Sequence, residues 1–110
     1  MIELPKKVNV SGIMLNVCFP EAAYFNSHTD NERVGAIEFF EEIIRLNPLR
    51  CTQSRQTASV LIHEMLHGIC MSRGVEPDEE TVVTLAYGLL QSFMDSPDLL
   101  EYLQKVRDEK

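Results

Sequence analysis

The hydrophobic period of this chain changes once, and that change constrains its fold more than any other feature. Up to Pro20 apolar side chains alternate: Val8 and Val10, then Ile13, Leu15, Val17 and Phe19, on either side of Ser11-Gly12. Period two around a turn pair reads as a β-hairpin with one buried face, closed by Pro20. From Thr52 onward the period is helical. Ala58, Leu61, Ile62, Met65, Leu66 and Ile69 make a stripe along a helix of roughly five turns, which Gly74 stops, with Pro77 beyond it. Asp78 then caps a second helix with the stripe Val82, Leu85, Ala86, Leu89, Leu90 and Phe93. Asp95-Ser96-Pro97 ends that helix and starts a third, with Pro97 at a first helical position and Leu99, Leu100, Leu103 and Val106 as its apolar side.

The middle of the chain is less explicit. Residues 21–34 are polar and rich in turn formers, and read mostly as loop. The stretch 35–47 (GAIEFFEEIIRLN) fits two patterns. Ala36, Phe39, Phe40, Ile43, Ile44 and Asn47 follow a helical stripe, whereas the β-branched and aromatic content, the leading Gly and the trailing Asn-Pro favour two short strands, GAIEFF and IIRL.

At 110 residues, one domain spanning 1–110 is expected, with 45% hydrophobic and 25% charged residues excluding disordered and low-complexity classes. Ten basic against 17 acidic residues give a formal net charge of −7, so the chain lacks the basic patch that nucleic acid requires. Cys18, Cys51 and Cys70 are odd in number and widely spaced, which indicates neither a disulfide framework nor a zinc ribbon. No apolar run approaches the ~20 residues of a membrane span, and the N-terminus lacks a signal-peptide core. A soluble, reduced, cytoplasmic protein is expected, as a monomer or weak dimer without membrane partners.

Residues His63-Glu64-Met65-Leu66-His67 spell HExxH inside the first helix. Histidines at i and i+4 project from one side of a helix and can both reach one Zn²⁺. Glu64, about 100° around from His63, lies near such a metal without needing to ligate it, placed to take a proton from water and hand it to a leaving amine. Measured around the helix from His63, His67 falls at about 40° and the apolar stripe centres at about 220°, so the histidines are not core residues of that stripe. Val60 and Cys70 flank them, and a half-covered face along a cleft suits both facts. Cys70 reads as a small buried hydrophobe rather than a ligand.

A catalytic zinc takes three protein ligands and leaves a fourth place open. The extended pattern with a third histidine fails at Arg73. The second helix offers Glu79 and Glu80. Measured from Val82, the apolar stripe centres at about 40°, Glu79 falls at about 60° and Glu80 at about 160°. Glu79 thus points to the packed side, where a carboxylate needs a partner such as zinc. Glu80 is explained by the helix dipole alone. Glu79 is therefore the expected third ligand, with Glu80, His28 or a cysteine as substitutes.

The runs RQTASVLIHEMLHGI, VEPDEETVVTLAYGLLQ and DSPDLLEYL, over roughly residues 50–103, resemble the small phage- and prophage-encoded metallopeptidase-like proteins. More distantly they resemble the ImmA/IrrE-type zinc metallopeptidases and the minimal gluzincins. The resemblance extends weakly to GAIEFFEEIIRLN, which is similar to the paired strands before the active-site helix, and so implies a β-hairpin there. In the ImmA/IrrE pattern the third-ligand Glu stands six residues before a Phe-Ala pair. Leu85-Ala86 fills that pair, and Glu79 is the residue so placed. Gly68 stands where Ala is commoner, a change that reads as harmless by size. No transition-state-stabilising residue can be matched to the pattern. Tyr24, His28 and Tyr87 are candidates by chemistry alone, and that role stays empty.

The expected architecture is α+β: a small N-terminal antiparallel sheet of about three to four strands, then three helices, the first carrying HExxH. The expected function is a zinc-dependent peptidase in which His63, His67 and Glu79 hold the metal and Glu64 moves the proton. The strand IIRL would offer its edge to an extended peptide or protein substrate. The resemblance implies a repressor-like protein as that substrate. Three rivals compete: a phage-type regulatory or binding module keeping the fold without turnover, a peptide deformylase using Cys18, and a fold in which the histidines are incidental.

Overall fold

The computed structural model describes residues 1–21, 23–25 and 33–110. Among the described residues four strands, β1 (Lys7–Val10), β2 (Ile13–Cys18), β3 (Gly35–Glu38) and β4 (Ile43–Leu46), precede three long helices, α1 (Ser54–Ser72), α2 (Glu79–Met94) and α3 (Pro97–Asp108), and residues 23–25, between β2 and β3, are helical as well. The α+β arrangement is as expected. Residues 35–46 form two strands, not a helix.

Both local hairpins form. β1 and β2 pair antiparallel, with Val8 opposite Leu15 and Val10 opposite Ile13. Their turn places Ser11 and Gly12 at positive φ, 52° and 89°, the two-residue geometry that matches strand twist. β3 and β4 also pair antiparallel. The expectation of a wholly antiparallel sheet is corrected where the two hairpins join. The strand order is β1-β2-β4-β3, and β2 runs parallel to β4, Val17 opposite Ile44. Alternation reports which face of a strand is buried and says nothing of its neighbour's direction. The connection from Phe19 to Val34 is long enough for a crossover.

This order leaves β3 at an edge of the sheet and encloses β4, the IIRL strand, on both sides. The Asn47 N–H donates to the Val34 carbonyl at 2.8 Å. Hydrogen-bonded pairs alternate along an antiparallel ladder. Gly35 and Ile37 therefore direct their own N–H and C=O groups to the free edge.

The core lies between the sheet and α1. Val10, Leu15, Ile44 and Leu46 are fully buried with Val17, Cys51, Val60 and Leu61 around them; each such aliphatic side chain stabilises by about 1.5–3 kcal/mol. Apart from Ser59, the buried residues of α1 are Thr57, Val60, Leu61, Glu64 and Gly68, centred about 115° from His63 by the helical repeat. The stripe read from the sequence lies about a quarter turn away and is mostly half-buried, with Ile69 exposed. α2 buries only Val82, Ala86 and Leu90. Leu85 and Leu89 of its expected stripe are exposed, as are Leu99, Leu100, Leu103 and Val106 of α3, because among the described residues no further layer covers them. No helix among the described residues is long and apolar enough to cross a membrane.

Candidate metal centre

Residues 63–67 lie well inside α1, and the i, i+4 spacing stacks the two imidazoles with centroids 4.9 Å apart. Both are half-buried, the side chains 15% and 26% exposed, as expected of a face along a cleft. Burial lowers the pKa of His63, opposed by the neighbouring Glu79 carboxylate; a neutral imidazole is the form that ligates a metal.

Glu79 is the first residue of α2, behind the Asp78 cap whose carboxylate accepts from the Thr81 N–H at 2.8 Å. Its carboxylate bridges the two histidines: Oε1 lies 2.7 Å from His63 Nε2 and Oε2 lies 3.1 Å from His67 Nε2. Glu79 does not point to a packed side of α2 as expected, since its side chain is 66% exposed. The stripe used to orient α2 included Leu85 and Leu89, which are not covered. Glu79 sits beside the histidines because α2 runs back alongside α1, its first residue at His63 and His67 and its last turns near Gln53–Gln56.

The three side chains are the group among the described residues whose donor atoms fit a single ion, all within 4.8 Å of one another. Two imidazole nitrogens and a carboxylate are a borderline donor set of the kind zinc prefers. Zinc bonds of ~2.0–2.1 Å in a tetrahedron place donors about 3.3 Å apart, close to the separations of Glu79 from the two imidazoles. The donor types suit the ion, and the group as a whole spans up to 4.8 Å.

Glu64 turns out to be the most buried ionisable group of the site, its side chain 5% exposed. It packs against β3 where that strand crosses α1, and its Oε2 lies 3.9 Å from His63 Nε2. Gly35 makes that approach possible: a Cβ there would stand 3.0 Å from Val60 Cγ1 and 3.3 Å from Glu64 Cγ. Burial raises the Glu64 pKa from 4.5 to about 7, against the opposing charges of His67 and Arg33. Gly68, one turn on, is not a neutral replacement for Ala. A Cβ there would lie 2.7 Å from Ile37 Cδ1 and 2.9 Å from Val10 Cγ1.

These side chains open into one cleft of about 530 Å³, lined by His63, Glu64, His67 and Glu79 on one side and by Arg33, Gly35 and Ile37 on the other. No family model, no curated protein and no solved structure matches the chain.

The other candidates do not join the cluster. Glu80 is exposed and lines a different hollow with Thr84 and Leu85. Cys18 and Cys70 are half-buried free thiols outside it, and Cys51 is buried with its Sγ donating to the Val34 carbonyl. Tyr24 donates to Glu38 at 2.7 Å in a polar group that includes Arg45, and Tyr87 is exposed away from the cleft. His28 lies outside the described residues.

The residue that sequence reasoning missed is Arg33. Its carbonyl accepts from Asn47 Nδ2 at 2.8 Å, and its Nε donates to the Gly35 carbonyl at 2.8 Å. A single Arg at the end of a polar loop carries no signal of its own. Only the return of β3 alongside α1 brings it to the histidines.

Proposed function

We propose that this protein is a zinc-dependent peptidase whose metal is held by His63, His67 and Glu79 and whose general base is Glu64. The observation that carries the reading is the Glu79 carboxylate in contact with the Nε2 atoms of both histidines, with Glu64 beside them in the same cleft. When bound, zinc lowers the pKa of water towards ~7 and polarises the scissile carbonyl. Glu64 takes a proton from the attacking water at a carboxylate oxygen and carries it to the leaving amine. Its near-dry environment keeps that carboxylate from being levelled by bulk solvent.

The substrate is a peptide in extended form. The free edge next to the metal ligands belongs to β3, not to IIRL, and the outward groups of Gly35 and Ile37 pair with a substrate strand by β-addition. A cytoplasmic setting is consistent with three unpaired cysteines.

The test is zinc content per chain after dialysis against trace zinc, for the wild type beside Glu79→Ala, followed by peptide cleavage with Glu64→Gln as control. About one zinc per wild-type chain, much less in Glu79→Ala, and turnover lost in Glu64→Gln with zinc kept are expected. Equal zinc in both proteins refutes the ligand set. Zinc bound without any turnover turns the reading to a binding module.

A further inference from the structure

Arg33 stands on the cleft wall opposite the metal ligands, and beyond opposing the upward shift of Glu64 its charge has no part in the reading above. Three observations bear on what it does. Its position is fixed at two points: the backbone by Asn47, itself fully buried, and the side chain by the 2.8 Å bond from Nε to the Gly35 carbonyl. That carbonyl is one of the free-edge groups of β3, so the guanidinium lies along the track a substrate backbone would follow. The carbonyl keeps a second lone pair for a substrate N–H. Finally, the terminal nitrogens have no carboxylate partner among the described residues. Arg45, by contrast, is engaged by Glu38 and Glu41, Lys105 by Glu101 and Arg107 by Asp108. Among the described residues Arg50, Arg55 and Arg73 also have no ion pair, but only Arg33 combines this with a tethered position on the cleft of His63, Glu64, His67 and Glu79, where its terminal nitrogens face a ligand's path.

We propose that Arg33 is the specificity residue of the cleft and selects substrates carrying a carboxylate beside the scissile bond, an acidic side chain in the strand that pairs with β3. A guanidinium with Nε already engaged still offers its terminal N–H groups to a carboxylate, and charge-assisted bonds of this kind are the strong ones. The long-range field of an acidic chain repels an acidic peptide, so the discrimination arises at contact, in the affinity for a seated ligand.

The inference rests on the zinc-peptidase reading, and the experiment separates the two. Two dipeptide hydroxamates, identical except that one carries Glu-Glu-amide and the other Gln-Gln-amide, are titrated calorimetrically into protein supplied with zinc. The wild type is expected to bind the Glu ligand about tenfold more tightly, and Arg33→Met is expected to abolish that preference. Zinc-dependent binding of both ligands with equal Kd in the wild type overturns the assignment of Arg33 and leaves the metal centre standing. A Glu preference that survives in Arg33→Met overturns it as well. Binding of neither hydroxamate overturns the zinc-centre reading, and this inference with it.

Discussion

Replacing Glu64 by Gln in metal-free protein should stabilise it, by an amount that grows with pH. The cause is burial of a carboxyl whose side chain is 5% exposed and whose pKa rises from 4.5 to about 7 on folding. The folded state therefore holds the Glu64 proton more tightly than the unfolded chain does. That contribution to stability is fully present below pH 4.5 and is lost as pH rises through about 7. The interval from 4.5 to about 7 corresponds to about 3 kcal/mol. Gln keeps the shape and polarity of the protonated acid and has nothing to lose. Urea denaturation in the presence of a chelator is the assay, on both proteins at pH 5, 6, 7 and 8. The two stabilities should lie within about 1 kcal/mol at pH 5 and diverge to about 3 kcal/mol in favour of Gln at pH 8, a gap of roughly 12 °C in Tm. Adding zinc should shrink it, because a cation beside the ionised carboxylate offsets its burial. Unfolding curves that stay parallel across the pH range would refute the reasoning, since the carboxylate would then be as well solvated folded as unfolded.

Two further substitutions probe the scaffold. Gly35→Val should cost about 2 kcal/mol by overpacking, because even a Cβ meets Val60 and Glu64 at 3.0 and 3.3 Å; a Tm equal to the wild type's would mean that β3 does not lie against α1 as described. Asp78→Ala removes the acceptor for the Thr81 N–H at the start of α2 and, by loosening the turn that carries Glu79, should weaken zinc binding about fivefold in competition with a chromophoric chelator. Unchanged affinity would separate the cap from the ligand.

Much of this site can be read from spacing. Histidines four apart within a helical period fix each other's direction, and the structure places His63 and His67 side by side on a half-covered face. Glu79 was legible as the partner, though not for the reason of burial: an exposed stripe of leucines on α2 carries the same periodicity as a buried one, and a helical wheel cannot tell them apart. The same ambiguity hid the role of Glu64, whose place in the buried line of α1 emerges only once the sheet defines which side is inward. The direction of β4 against β2 depends on a crossover that local alternation does not encode. Arg33 reaches the cleft through that crossover, and its charge therefore meant nothing until the strand order was known.

Gly35 and Gly68 lie on opposite sides of the β3–α1 contact, Gly35 leaving room for Val60 and Glu64 and Gly68 for Ile37 and Val10. Ile37, two residues past Gly35, sits over Gly68, four residues past Glu64. Two strand residues advance about 6.6 Å and four helix residues about 6 Å, so the two repeats mesh like the scales of a vernier. A shift of one strand residue brings the opposite face of β3 to the helix, and Ala36 and Glu38 would meet the notches instead. Changes of length are thus not equivalent along this chain: a residue inserted between Gly35 and Ile37 puts the two on opposite faces, so that they cannot both meet α1, whereas one inserted at Asp95–Ser96 breaks neither contact.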